Sequence, residues 1–304
     1  MKQFLFFAAT LCTLALAQIA SDPASFNRAL GVDEELANFE YGNAVVYTET
    51  LANLLYKILY EGPREDLETA GDVISAAIGN PEIKEPFIAW MEKNGEDLFR
   101  HDKPLAVSLS NAYLLTFLPG PKMTFVITPK EADPSAFGEP RHVLGEGPTM
   151  IREYSDFECP ACRALFNYAL AQIKARYVET GRARFEYRHF PLFEIHKQAV
   201  PAAEASECAA DQDRFWDYHD ALFQKGVGNY IALAGSLDLD LALFAECMAE
   251  RKHKGIVEAH RAEAEALGLH GTPSVFVGPF LLPNPFDVDS YDRYLRMAEA
   301  KSAR

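Results

Sequence analysis

One tetrapeptide, Cys159-Pro160-Ala161-Cys162, constrains this chain more than any other feature. It follows Met150-Ile151-Arg152-Glu153-Tyr154-Ser155-Asp156-Phe157, which reads as a strand running into a turn. It precedes Arg163-Ala164-Leu165-Phe166-Asn167-Tyr168-Ala169-Leu170, which reads as an amphipathic helix. Strand, Cys-x-x-Cys, helix is the arrangement a dithiol redox site requires. Cys159 then falls at the first turn of a helix, where unpaired backbone N–H groups and the helix dipole favour thiolate over thiol. Pro160 suits the first helical position because its missing N–H costs nothing there. Cys162, one turn on, is positioned to close a ring with Cys159 and is the more buried of the two. Half a zinc site is the rival reading. Zinc takes about four ligands, usually from a second close pair, and the sequence offers none: Cys208 and Cys247 stand alone. No metal or other cofactor is expected.

The chain has 304 residues, enough for one large or two ordinary domains. Its formal charge of −15 argues against nucleic acid as a partner and against a basic membrane-docking face. Residues 1–17 read as a secretory signal peptide: Lys2 is the positive start, an apolar run follows to Leu16, and Ala15-Leu16-Ala17 is a cleavage site. Cleavage is expected near Ala17/Gln18, which implies export to the periplasm or cell envelope. An uncleaved anchor is the rival, but the run is short for a bilayer. Cys12 would leave with the leader. Four of the five cysteines then remain, in a compartment that permits disulfides.

Residues 18–138 read as a small mixed α/β accessory domain without recognisable chemistry. Residues 43–47 read as a strand, 49–60 as a helix on the spacing of Leu51, Leu54, Leu55, Ile58 and Leu59, and 66–78 and 85–98 as further helices. Residues 105–118 and 123–127 read as two strands turned by Pro119-Gly120-Pro121. Pro129 to Gly147 is linker-like, and the boundary is placed near residue 138.

Residues 139–304 read as a second domain. After the Cys-x-x-Cys helix, Arg184 to Phe190 alternates as a strand, so a parallel pair is expected. A long helical stretch, about 195–267, follows. Cys208 and Cys247 fall on apolar helix sides there, as a disulfide or as two buried thiols; export favours the bond. His196 and His219 are placed within helices in core or surface roles, and His189 at a strand end near the redox face. Arg251-Lys252-His253-Lys254 reads as a solvated helix face. Gly271-Thr272-Pro273 opens a further strand, compatible with a sheet edge, and residues 290–300 read as the last helix.

Residues 139–300 resemble the DsbA-like branch of the thioredoxin superfamily. The carriers are Glu153 to Cys162, Glu207-Cys208-Ala209-Ala210, Phe215-Trp216-Asp217-Tyr218-His219 and Gly271-Thr272-Pro273-Ser274. The resemblance implies a thioredoxin-like fold with an inserted helical domain. It implies a cis Pro273 beside the cysteines, Thr272 pairing its backbone with substrate, Glu153 as a buried acid below the site, and Cys208–Cys247 as a structural disulfide. It also implies a quinone-linked membrane oxidase partner. The dipeptide here is Pro-Ala, where the most oxidising members carry Pro-His. The expected function is an exported thiol:disulfide oxidoreductase that acts on folding proteins with thiols through Cys159 and Cys162. A reductase or isomerase of the same fold is the alternative. A non-catalytic binding or chaperone module is the alternative from another class.

Overall fold

The computed structural model describes residues 19–303. The expected leader lies outside the described residues. No helix among those described is long and apolar enough to cross a membrane. The chain divides into two compact units, one running to Glu131 and resuming at Asp292, the other spanning Ala132–Tyr291.

The first unit starts with α1 (Pro23–Leu30), then β1 (Asn38–Tyr41), β2 (Ala44–Leu51) and β3 (Leu54–Gly62). Helices α2 (Leu67–Ile78) and α3 (Lys84–Leu98) follow, then β4 (Leu105–Ser108), β5 (Tyr113–Leu118) and β6 (Met123–Pro129). The six strands form one antiparallel sheet in the order β1-β2-β3-β6-β5-β4. Along β5 and β6 every second residue is buried. That face meets Ala70, Val73, Ile74 and Ala77 of α2 and Phe87 and Met91 of α3 in one core. Asp66 caps α2 by accepting the Thr69 amide.

Residues 49–60, expected as a helix, are instead the β2–β3 hairpin. Ala52 and Asn53 both take positive φ (55° and 62°) and make its two-residue turn, with Leu51 facing Leu54. The misreading has a definite origin. The register shifts so that Glu49 faces Lys57 while Thr50 faces Leu55, which leaves Tyr56 as an extra, bulged residue. The bulge flips the strand's phase, so Leu55 and Ile58 are both buried at a spacing that imitates a helix. Residues 105–118 are likewise two strands, broken at Ser110, whose hydroxyl accepts the Ala112 amide in the turn.

The second unit holds β7 (Val143–Leu144) and β8 (Thr149–Ser155). One continuous helix follows, made of α4 (Pro160–Leu165), a π-helical stretch Phe166–Leu170, α5 (Ala171–Ile173) and a second π-helical stretch Lys174–Val178. β9 (Ala183–His189) returns parallel to β8. Five helices come next: α6 (Ala199–Ala210), α7 (Phe215–Lys225), α8 (Tyr230–Gly235), α9 (Leu241–Ala249) and α10 (Lys254–Ala266). The chain re-enters the sheet as β10 (Ser274–Val277) and β11 (Phe280–Leu281) and ends in α11 (Val288–Ser302), most of which belongs to the first unit. The sheet order is β11-β10-β8-β9-β7. β10 is therefore an interior strand, and the two-residue β11 takes the edge. This is a thioredoxin-like fold with a helical insertion between β9 and β10, preceded by a mixed α/β unit.

Within the insertion, Cys208 of α6 and Cys247 of α9 form a disulfide across 39 residues. Closing a loop of that length removes unfolded-state entropy worth about 4 kcal/mol in the chain-entropy model. A Cys208→Ala/Cys247→Ala variant is expected to lose about that much stability in urea titrations while keeping its alkylatable Cys159. A loss below about 1 kcal/mol would mean that helix packing alone holds the insertion together. The run from Arg251 to Lys254, expected as a solvated helix face, is solvated at Arg251, Lys252 and Lys254, but its first three residues form the turn between α9 and α10 and are tied to the end of α6. Arg251 pairs with buried Glu204 at 2.6 Å, and Lys252 and His253 both reach Asp211 at 2.8 Å. Asp211, Cys247 and His253 thus cluster, but the sulfur is in the disulfide and the carboxylate is already ion-paired.

Candidate active site

β8 is buried on both faces, as a strand covered on each side requires. It delivers the chain to a tight turn in which the Cys159 amide donates to the Asp156 carbonyl at 3.1 Å. Cys159 caps the long helix in an extended conformation (φ −70°, ψ 123°), with Pro160 in its first turn. Because β8 and β9 are parallel, their C-terminal ends share one end of the sheet. The antiparallel β10 begins at that same end, with Ser274 facing Tyr154. The topology therefore brings Cys159 and Cys162, His189, and Thr272-Pro273 to one rim.

The structure holds both cysteines as thiols. Cys159 keeps 7 % of its surface and Cys162 none, so only Cys159 is open to another molecule. Their acidities diverge. Hydrogen bonding from Cys162, opposed by burial and helped by Thr272 and the N–H groups of Cys162 and Ala161, lowers Cys159 to about 5. Burial first, and then the neighbouring Cys159 and Glu153, push Cys162 well above a normal thiol. The helix N-terminus acts through those two N–H groups. The surroundings are apolar: Phe157, Tyr187 and Phe223 pack with the pair, and His219 lies among the same rings.

The Thr272–Pro273 peptide is cis. The Thr272 carbonyl lies 3.6 Å from Cys159 Sγ, and both Thr272 and Pro273 stay half-buried. Glu153, on β8, is 2 % exposed. Burial raises its carboxyl to about 7 against the smaller opposing effects of Ser155 and Lys174. It is a buried acid whose charge is felt by Cys162.

His189 is held by a buried carboxylate. Its Nε2 meets buried Glu207 at 2.9 Å, an oxygen it shares with His142 at 2.7 Å, and Arg141 completes the cluster at 2.8 Å. β9 is buried on both faces, and its charges are satisfied in ion pairs: Glu186 meets Arg152 and Arg188, each at 2.8 Å. His219 is fully buried, and burial lowers it to about 4 despite Asp220 at 2.8 Å. His196 is not helical. It lies in the segment between β9 and α6, and its Nδ1 is 2.8 Å from Asp156, in the turn that carries Cys159. Neither Asp156 nor His196 stood out as a site residue in the sequence. The available signal was topological: a histidine just beyond the C-terminal end of the strand parallel to β8 must lie near the cysteine rim.

A family model described as thioredoxin matches residues 139–296. The chain belongs to the thioredoxin family. The chain is similar to a probable disulfide bond formation protein D of Bacillus anthracis, 27 % identical over 153 residues, which are 47 % of this chain and 70 % of that one. The Na(+)/H(+) antiporter NhaA 3 of Salinispora tropica is 33 % identical over 167 residues, 53 % of this chain. The chain spans about a quarter of the length of that antiporter (25 %). Among solved structures it is similar to oxidised BdbD from Bacillus subtilis, with a TM-score of 0.49, 23 % identity and coverage of 56 % of this chain and 96 % of that one. DsbA of Chlamydia trachomatis gives 0.48 and 17 %, with 57 % and 99 % covered.

Proposed function

We propose that this protein is an exported thiol:disulfide oxidoreductase that oxidises dithiols on folding proteins. The observation that carries the reading is the split between two adjacent thiols, Cys159 held near pKa 5 and Cys162 pushed far up. A pair that stabilises one thiolate stabilises its own reduced form, which makes its disulfide an oxidant.

In the cycle, a substrate thiolate attacks Cys159 Sγ of the oxidised pair. The Cys159–Cys162 bond breaks, and Cys162 leaves and takes a proton, as its high pKa demands. A second substrate thiolate then attacks the substrate sulfur of the mixed disulfide and expels Cys159 as a stable thiolate. The substrate loses two electrons and two protons, and the pair gains the electrons. Thr272 and cis Pro273 form the ledge beside Cys159, where the Thr272 backbone pairs with an extended substrate segment. Glu153, raised to about 7, takes up or returns the Cys162 proton. A quinone-linked membrane oxidase reoxidises the pair.

The experiment is the reduction potential of Cys159–Cys162 in a glutathione series, read by alkylation of the intact protein. A value towards about −120 mV is expected of an oxidase. A value near about −270 mV belongs to a reductant and would replace the oxidase reading.

A further inference from the structure

The segment between β9 and α6 is mounted on the cysteine turn at two points. Asp156 Oδ2 accepts from His196 Nδ1 at 2.8 Å and from the Leu192 amide at 2.9 Å. Glu158 accepts the Gln198 amide at 2.6 Å. On its other side the segment is tied to α10, where Arg261 donates to the Pro191 carbonyl at 3.1 Å, pairs with Glu194 at 2.8 Å and lies over the Phe193 ring at 3.8 Å. His196 is therefore fixed in place. Asp156, which holds it, is three residues before Cys159, whose own amide returns to the Asp156 carbonyl. Ala161, between the cysteines, brings no charge to the pair.

We propose that His196, clamped through Nδ1 by Asp156, is a positioning residue that holds a positive charge beside Cys159 and so stabilises its thiolate. The proposal rests on the redox reading of the pair. The surrounding charges favour it. Burial works against protonating His196, but the hydrogen bond and charge of Asp156, joined by Cys159 and Glu158, outweigh it and raise the ring above an ordinary histidine. The charged groups that act on His196 are Asp156, Cys159 and Glu158, all from the turn; its own segment also carries Glu194 and Lys197, and Arg261 of α10 is paired with Glu194. The direct hydrogen bonds at Cys159 set most of its acidity. A histidinium charge acting on the sulfur through a partly wet medium is worth about tenfold in the thiolate-to-thiol ratio.

The test is the pH dependence of iodoacetamide alkylation at Cys159 in the reduced, full-length protein, with three variants. His196→Gln keeps a donor for Asp156 and loses the charge. His196→Lys keeps the charge. His196→Ala loses both. Expected is an apparent Cys159 pKa about one pH unit higher in the Gln and Ala variants and restored in Lys. The pair's potential should move about 30 mV towards reducing in Gln, the equivalent of tenfold in the equilibrium constant. The wild-type profile should also carry a second inflection from His196 that the Gln variant lacks. A folded His196→Gln protein with the wild-type profile overturns the proposal. So does a rise shared equally by all three variants together with lost thermal stability, because the role is then structural. The two readings fail separately: a wild-type Cys159 that titrates near about 8.5 sinks the redox reading itself, whereas an acidic wild-type Cys159 indifferent to residue 196 sinks only this one.

Discussion

Replacing Cys159 by serine is expected to abolish thiol–disulfide exchange, whereas Cys162→Ser leaves a protein that accumulates mixed disulfides through Cys159. The asymmetry follows from ionisation and access. With its pKa near 5, Cys159 is about 99 % thiolate at pH 7, against a few per cent for an ordinary thiol. Cys162 is displaced the other way, so ionisation alone makes it more than about thirtyfold poorer as a nucleophile at that pH. Burial adds to this, since Cys162 has no exposed surface for a second sulfur to approach. Cys162 therefore cannot replace Cys159. Without Cys162, in turn, Cys159 has no internal partner to release a captured substrate. Mass spectrometry of adducts from the two variants, mixed with a reduced unfolded protein and an oxidant, checks both statements. Adducts on Cys162 in the Cys159→Ser protein, at wild-type rates, would reverse the assignment.

Much of this site is legible in the sequence because its chemistry is local. A strand, two cysteines three apart and a helix need no distant contact to be recognised, and their order places Cys159 at a helix N-terminus. Glu153 is legible only as a family position. Its elevated pKa depends on burial that no local pattern reports. The Asp156–His196 contact joins residues 40 apart in sequence, across the gap between β8 and the segment after β9. A lone histidine carries no sign of the carboxylate it will meet. Errors elsewhere have the same character. Leu51, Leu54, Leu55 and Ile58 fit a helix until the bulge at Tyr56 is known, and a bulge is a property of pairing with β2. Arg251, Lys252 and Lys254 are exposed as the run suggests, but nothing local reports that Glu204 and Asp211 stand opposite Arg251, Lys252 and His253. Periodicity reports burial along one element. It does not report which element lies across from it.

The reduced protein is expected to gain stability relative to the oxidised protein as pH rises from about 5 to about 9. Cys159 has a folded pKa near 5, below that of an unfolded thiol. Between the two values the unfolded state binds more protons than the native state, so unfolding free energy rises with pH. The contribution is complete above the unfolded pKa and is lost as pH falls through about 5. Each pH step of one between those two values adds about 1.4 kcal/mol, which gives about 3 kcal/mol by pH 7 and up to about 5 at pH 9. Glu153 acts with the opposite sign: its folded pKa is raised to about 7, so the native state holds the extra proton, and stability falls between about pH 4.5 and 7 by about 3 kcal/mol. That loss is common to both redox forms and cancels in their difference. Cys162 stays protonated in the fold and opposes the trend only where unfolded thiols ionise. Urea titrations of both forms from pH 4 to pH 9 should therefore diverge through the middle of the range. Parallel curves would show that the thiolate is not stabilised by the fold. The disulfide would then have no excess oxidising power over an unfolded one, because a pair whose reduced form gains nothing from folding has the potential of the unfolded chain.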